Sequence, residues 1–282
     1  MRIIVTSDLH FHIPWHDTLK AFAKQLEALE ADLFIIAGDL GEPLEMFNLC
    51  LKTFSRVSDH RAALAGNHDV WHRAGPNSSR DLWDTYLSRA AQKFDYHWLD
   101  ERALVVGGLG IAGSIAWYDY SGGHPDVNLH GDEYEQVKPM ISNDGNYIDW
   151  GWSDREFAAL VGEELEERLQ MLSERDDVTD ILVVTHVPLF DGTQRYEEDG
   201  SNRIIANAYY ANLTLGQRVL TYPKVRMAVS GHVHVERQLS VSRNGSAPLP
   251  VYTNPSDYGN PAALLIDTET WAVQVVRSSG SA

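Results

Sequence analysis

Five places in this chain collect residues that could hold divalent metal ions. They are Asp8 with His10, then Asp39, then Asn67-His68-Asp69, then His186, and finally His232 with His234. Aspartate, asparagine and histidine supply the oxygen and nitrogen donors that hard and borderline divalent cations take. Asp8 and His10 are two positions apart, so an extended backbone points both side chains the same way and they can share one ion. A carboxylate has two oxygens and can meet a cation with each.

Each cluster follows a short apolar run. Ile3-Ile4-Val5 precedes Asp8, Leu33-Phe34-Ile35-Ile36-Ala37 precedes Gly38-Asp39, and Ala62-Ala63-Leu64-Ala65 precedes Gly66-Asn67. Ile181-Leu182-Val183-Val184 precedes Thr185-His186, and Met227-Ala228-Val229 precedes the Gly231-His232-Val233-His234 block. Continuous runs of this length suit strands buried on both faces. In open α/β sheets, ligands gather outside the carboxyl ends of such strands.

Helices are expected between the strands. Leu19, Phe22, Ala23, Leu26 and Leu29 recur at three- and four-residue spacing, an amphipathic stripe that covers one sheet face. Residues 43 to 56 repeat the idea, with Pro43 suited to a first turn, and 80 to 92 read as a third helix. This β-α-β-α-β start predicts neighbouring parallel strands. Leu104 to Val106 and Gly110 to Ala112 read as paired strands around Gly107-Gly108. A helix is expected from about Asp154, with Ser153 as its cap and Glu156 at capping-box spacing. Past His234, antiparallel strands are expected over 237–241, 251–253, 263–266 and 273–276.

The stretch 117–152 has a different texture. Aromatic residues stand among Gly, Asp and Asn with little periodicity. A loop of this length is usually functional or disordered, and its aromatic density argues against disorder. One reading is a cap packed on itself. The sharper reading is a lid whose rings, Tyr118, Tyr120, Trp150 and Trp152, stack on a nucleobase or another flat leaving group.

Composition bounds the rest. With no internal repeat or long linker, the 282 residues are expected to form one domain, 1–282, with 117–152 as its insert. The formal charge of -17 argues against a surface that tracks nucleic-acid phosphates. The N-terminus reads as a strand rather than a signal peptide, and no run approaches membrane-spanning length. Cys50 stands alone and is expected to be buried packing. A cytoplasmic location is expected; oligomeric state is left open.

Taken in order, the blocks Asp8-x-His10, Gly38-Asp39, Gly66-Asn67-His68-Asp69, His186 and Gly231-His232-Val233-His234 resemble the calcineurin-like metallophosphoesterase superfamily. The resemblance spans residues 3 to 234. It implies an α/β fold, a four-layer α/β/β/α sandwich of two mixed sheets flanked by helices. It also implies two divalent ions, one held by Asp8, His10, Asp39 and His234, the other by Asp39, Asn67, His186 and His232, with Asp39 bridging. Two such ions form a clamp for in-line displacement at phosphorus and acidify water to hydroxide. His68 is implied as the general acid at the leaving oxygen, kept protonated by an anion. Glu42, three residues after Asp39, and Asp69 are the candidates for that anion.

Departures narrow the branch. The GD block continues Leu40-Gly41-Glu42-Pro43 rather than Asp-Arg-Gly, and GNHD replaces GNHE, unlike protein phosphatases. Glu42 stands where purple acid phosphatases need a tyrosine ligand. The pattern is nearer the class III cyclic-nucleotide phosphodiesterases and their bacterial relatives. The expectation is therefore a phosphoesterase for small-molecule or nucleotide substrates, leaning to diesters. A non-catalytic scaffold and a nuclease are the alternatives. Scaffolds of this fold have usually lost ligands or the catalytic histidine, and this chain retains them; the acidic balance counts against a nuclease. Nitrogen-rich donors favour manganese, iron or zinc over magnesium. Of the remaining histidines, His12 and His72 are candidates for the surroundings of the site. His16, His60, His97, His124 and His130 read as surface or hydrogen-bonded residues.

Overall fold

Alternation along the apolar runs decides the layers. In the computed structural model, which describes residues 1–193 and 203–279, β1 (Arg2–Thr6) turns Ile3 and Val5 to one face and Ile4 to the other. β2 (Leu33–Ala37) divides in the same way, with Leu33, Ile35 and Ala37 opposite Phe34 and Ile36. Both faces are apolar because both are covered.

Among the described residues, twelve strands form two six-stranded sheets. The first contains β1, β2, β3 (Arg61–Leu64) and β4 (His97–Trp98) as parallel neighbours. The second contains β5 (Leu104–Val106), β6 (Leu109–Ser114), β7 (Asp180–Thr185), β8 (Val225–Ser230), β9 (Arg237–Arg243) and β10 (Ser246–Thr253). Its strands β6, β7, β8 and β10 are parallel, with antiparallel β5 and β9 at its edges. β11 (Ala262–Asp267) and β12 (Ala272–Arg277) extend the first sheet beyond β1 as antiparallel strands. The four expected C-terminal strands therefore split between the sheets, and β10 runs parallel to β8.

Ile3, Val5, Leu33, Ile35, Leu64 and Leu99 meet Leu109, Ile111, Leu182, Val184, Met227 and Val229 between the sheets. Gly113 marks how closely the layers approach: a Cβ there would stand 2.7 Å from Leu99 Cβ. Asp100 pins the layers at the strand ends. Its two carboxylate oxygens accept from the Ala65 N–H after β3 and the Ile115 N–H after β6, each at 2.7 Å.

Helices cover the outer faces. α1 (His16–Glu27) buries Leu19, Phe22, Ala23 and Leu26, and α2 (Leu44–Phe54) buries Phe47, Cys50, Leu51 and Phe54. The expected third helix, α3, spans 79–93 and widens into a π-helical turn over Leu82–Tyr86. The insert holds α4 (Asp132–Ile141) and a short turn, Asp144–Tyr147, neither foreseen from periodicity. α5 (Asp154–Glu174) starts with the expected Ser153–Glu156 capping box and buries Phe157, Val161, Leu165, Leu169 and Leu172. α6 (Leu213–Val219) follows, capped by Asn212. Helices outside two packed mixed sheets make the four-layer sandwich that the motif order implied.

Candidate metal centre

The metal-capable residues all stand just past strand ends: Asp8 and His10 after β1, Asp39 after β2, Asn67 and His68 after β3, His186 after β7, His232 and His234 after β8. Sharp turns put them there. Asp8, His10, Asp39, His232 and His234 have φ of 51°, 40°, 54°, 71° and 54°. This left-handed region costs a residue with a Cβ about 1–2 kcal/mol. Strain repeated at one end of two sheets marks a site that the surrounding packing holds in place.

The glycines of the motifs have a steric reason. A Cβ on Gly66 would lie 2.1 Å from Asp39 Oδ1 and 2.3 Å from its backbone nitrogen. A Cβ on Gly231 would lie 2.6 Å from Asp8 Oδ2. No other residue lets these turns pass so close to the carboxylates.

Asp39 is 1% exposed and sits at the centre. Its Oδ2 faces His10 Nε2 at 3.6 Å and its Oδ1 faces His186 Nε2 at 3.4 Å. On the first side, His234 Nε2 lies 3.4 Å from His10 Nε2 and 3.7 Å from Asp8 Oδ1. On the other, Asn67 Oδ1 lies 2.9 Å from His186 Nε2 and 3.0 Å from His232 Nδ1. Donors that each stand about 2.1 Å from one ion are separated by roughly 3–3.4 Å. The donor set therefore fits divalent metal. Asp8, His10 and His234, and likewise Asp8, Asp39 and His186, bring their donor atoms within 4.8 Å of one another.

The far nitrogens of these histidines are also occupied. His186 Nδ1 donates to the Ala37 carbonyl at 2.9 Å, and His232 Nε2 donates to the Tyr209 carbonyl at 3.0 Å. His234 Nδ1 meets Asp257 at 3.1 Å. Such bonds fix which nitrogen turns inward and raise its basicity. The Asn67 amide is oriented similarly: its Nδ2 donates to Asp144 at 2.9 Å, leaving its oxygen inward. Asp144 also accepts from Trp71 Nε1 and the Tyr118 hydroxyl.

Electrostatics reflect a site built for cations. Burial works against the Asp39 carboxylate, yet His186, His68 and His10 outweigh it and hold its pKa well below the usual range. Burial also works against a charged His186, but Asp39 and Asp8 push its pKa up to about 10. Burial and the neighbouring His186 bring His232 down to about 4. A proton on His186 thus stands in for positive charge that the two buried carboxylates demand.

His68 reaches the same centre from the side. Its Nε2 is 3.9 Å from Asp39 Oδ2 and its Nδ1 is 3.8 Å from Glu42 Oε1. Burial would lower its pKa, but Asp39, Glu42 and Asp144 raise it above the ordinary value. Trp71 stacks on the ring at a centroid distance of 3.6 Å. Asp69, the other candidate anion, is turned elsewhere. It accepts from the Gly66 and Gly41 N–H groups at 2.9 and 3.0 Å, and burial pushes its pKa to about 8. Its geometry braces two turns rather than His68.

The insert rings depart from the lid expectation. Tyr118, Tyr120 and Trp150 are 0%, 8% and 5% exposed. Trp150 packs on Trp117 and Phe157, and the Tyr120 hydroxyl donates to Asp154. Trp152 packs on Phe157, with the Arg80 guanidinium 3.7 Å from its ring centroid. The buried Tyr118, Tyr120 and Trp150 leave a flat leaving group no open face, and Trp152 is half-buried. His72 bonds Asp149 and the Gly75 carbonyl instead of the centre. His12 lines a cavity of about 230 Å³ beside His10 and His68. Tyr258, which sequence reasoning missed, also lines it and stacks on His10 at 4.1 Å. A larger cavity, about 630 Å³, opens behind the insert among Tyr120, Tyr134, Arg155 and Arg218, and none of the metal-capable residues above lines it.

Comparisons with known proteins agree with this geometry. Among solved structures, the phosphopantetheinyl hydrolase PptH of Mycobacterium tuberculosis is 17% identical, with a TM-score of 0.64 over 90% of this chain and 89% of that one. The protein TT1561 of Thermus thermophilus is 14% identical, with a TM-score of 0.54 over 98% of each chain. A dimetal phosphatase of Danio rerio is 11% identical, with a TM-score of 0.51 over 99% of each. These likenesses establish a shared fold. A search of curated proteins gave no significant match. The calcineurin-like phosphoesterase model matches residues 1–236. The chain belongs to the calcineurin-like phosphoesterase family and is a metal-dependent phosphoester hydrolase.

Proposed function

We propose that Asp8, His10, Asp39 and His234 hold one divalent ion and that Asp39, Asn67, His186 and His232 hold a second, within one domain of which 117–152 is a packed insert. The observation that carries this reading is the pair of Asp39 oxygens, each turned to a separate set of imidazoles. When bound, the ions supply positive charge to the phosphoryl oxygens and acidify the attacking water. In this reading His68 donates its Nε2 proton to the ester oxygen that departs, and the Glu42 carboxylate, 3.8 Å from Nδ1, favours the protonated ring. The imidazole-rich donors favour manganese, iron or zinc over magnesium.

The preferred substrates in this reading are small phosphodiesters, nucleotide esters included. A monoester brings a second negative charge to the site. Arg73, the guanidinium beside Glu42 and Trp71, is already engaged by Glu42 through Nε and Nη2 at 3.1 and 2.7 Å. A diester asks for one charge fewer. Among the described residues no helix is long and apolar enough to cross a membrane, and the single cysteine suits a reducing cytoplasm. The test is elemental analysis of the purified protein together with a panel of p-nitrophenyl monoesters and bis(p-nitrophenyl) diesters. Two transition-metal ions per chain and faster diester turnover are expected. A single ion, or faster monoester turnover, overturns the corresponding half of the reading.

A further inference from the structure

We propose that the cavity bounded by Phe11, Trp15 and Tyr258 receives the leaving group of the ester, and that this group is uncharged and apolar, such as an aryl or benzyl group. The inference rests on the phosphoesterase reading and adds a substrate class to it. Its first support is position. His10 and His68 line the same cavity, so a group attached to the oxygen that His68 protonates continues into it.

Its second support is the wall. Tyr258 lies nearly parallel to His10 and His234, with centroids 4.1 and 5.3 Å away, so one ring covers both imidazoles. Tyr258 as a residue is nevertheless 47% exposed. Its backbone is held by Asp257, whose carboxylate accepts the Tyr258 N–H at 2.8 Å while also meeting His234. Gly259 then passes so close to Trp15 that a Cβ would lie 2.8 Å from the indole. The two walls are therefore set against each other by the backbone. In the same turn as Trp15, Ile13 is 77% exposed.

Its third support is charge and size. Glu42 is the carboxylate in the lining and Arg73 already pairs with it, so beyond the imidazoles of His10, His12 and His68 the lining offers an anionic group no free cation, while Phe11, Trp15 and Tyr258 offer apolar surface. The volume, about 230 Å³, is below the roughly 300–1,000 Å³ of sites that enclose whole drug-sized ligands. It suits one ring or a short chain.

The experiment uses the metal-loaded protein and pairs benzyl with ethyl esters, whose alkoxide leaving groups are of similar basicity. Dissociation constants of benzylphosphonate and ethylphosphonate, which are not hydrolysed, supply a readout besides turnover. The benzyl compound is expected to be favoured about tenfold in both kcat/KM and affinity. Tyr258→Ala should bring both ratios towards one, whereas Tyr258→Phe should keep them. No benzyl preference in the wild type, or an equal loss on benzyl and ethyl compounds in Tyr258→Ala, overturns the inference. If no ester is turned over but benzylphosphonate still binds more tightly in a Tyr258-dependent way, the pocket stands and the hydrolytic reading falls.

Discussion

Asp39 has the most to lose at the scale of single residues. It is buried, turns one oxygen to each half of the centre, and accepts the backbone N–H of His68 at 2.9 Å. Asp39→Ala is expected to abolish activity and the occupancy of both ions; two metals per chain after that change would rule out a bridging role. His68→Ala should lower turnover by about 10²–10⁴-fold while metal content stays near normal. The loss should shrink for p-nitrophenolate, which needs little help to depart, and an equal loss for poor and good leaving groups would count against proton donation. The candidate donors could be picked out in the sequence because each stands just past a buried strand. Their partners could not. Asp144 stands 77 positions from the Asn67 amide it orients, and the Tyr209 group that holds His232 is a backbone carbonyl, which leaves no residue signature.

At the scale of elements, turns and insert do different work. The turn through Gly66 passes against Asp39, so Gly66→Ala must move either that carboxylate or the Asn67-His68 segment. It should lower metal affinity and melting temperature together, and retention of both by the alanine variant would show that the turn has room to yield. The 117–152 stretch showed its importance in the sequence but not its use. Aromatic density marks burial and stacking platforms alike, and only the three-dimensional neighbours separate them. The helix Asp132–Ile141 escaped periodicity because Pro139 interrupts it and its buried face is Tyr134 with Lys138, whose ammonium pairs with Asp154. Trp150→Ala should therefore act on stability, by roughly 3–5 kcal/mol as for other buried aromatics. Denaturant unfolding measures it, and a change in substrate preference with unaltered stability would restore the lid reading.

At the scale of the whole molecule, Asp100 couples the two sheets to pH. The buried runs foretold the parallel start and the motif order implied the layers, but not that the C-terminal strands divide between the sheets with β10 parallel to β8, and nothing in the local sequence marks Asp100 as the residue between Ala65 and Ile115. Burial raises its pKa from 3.8 to about 6, against the pull of the two N–H donors and Arg168. The folded form therefore binds this proton more tightly than the unfolded chain does. The stability it contributes is fully present below pH 3.8 and is lost as pH rises through about 6. The shift corresponds to a change on the order of 1–3 kcal/mol across that window. The formal charge of -17 adds a broad repulsion that also eases on acidification, so the wild type alone cannot isolate the term. Asp100→Asn can, because it keeps the general charge and removes this one titration. Its amide cannot accept both backbone N–H groups, so the variant should be less stable overall. In the metal-free proteins at fixed ionic strength, its deficit should be largest near pH 4 and should narrow towards pH 7, when the wild-type carboxyl has to ionise in place. Melting temperatures of both proteins across that range measure the gap. A gap that stays constant with pH would mean that the carboxylate is already ionised at its usual pKa and that the donors at the sheet ends outweigh its burial.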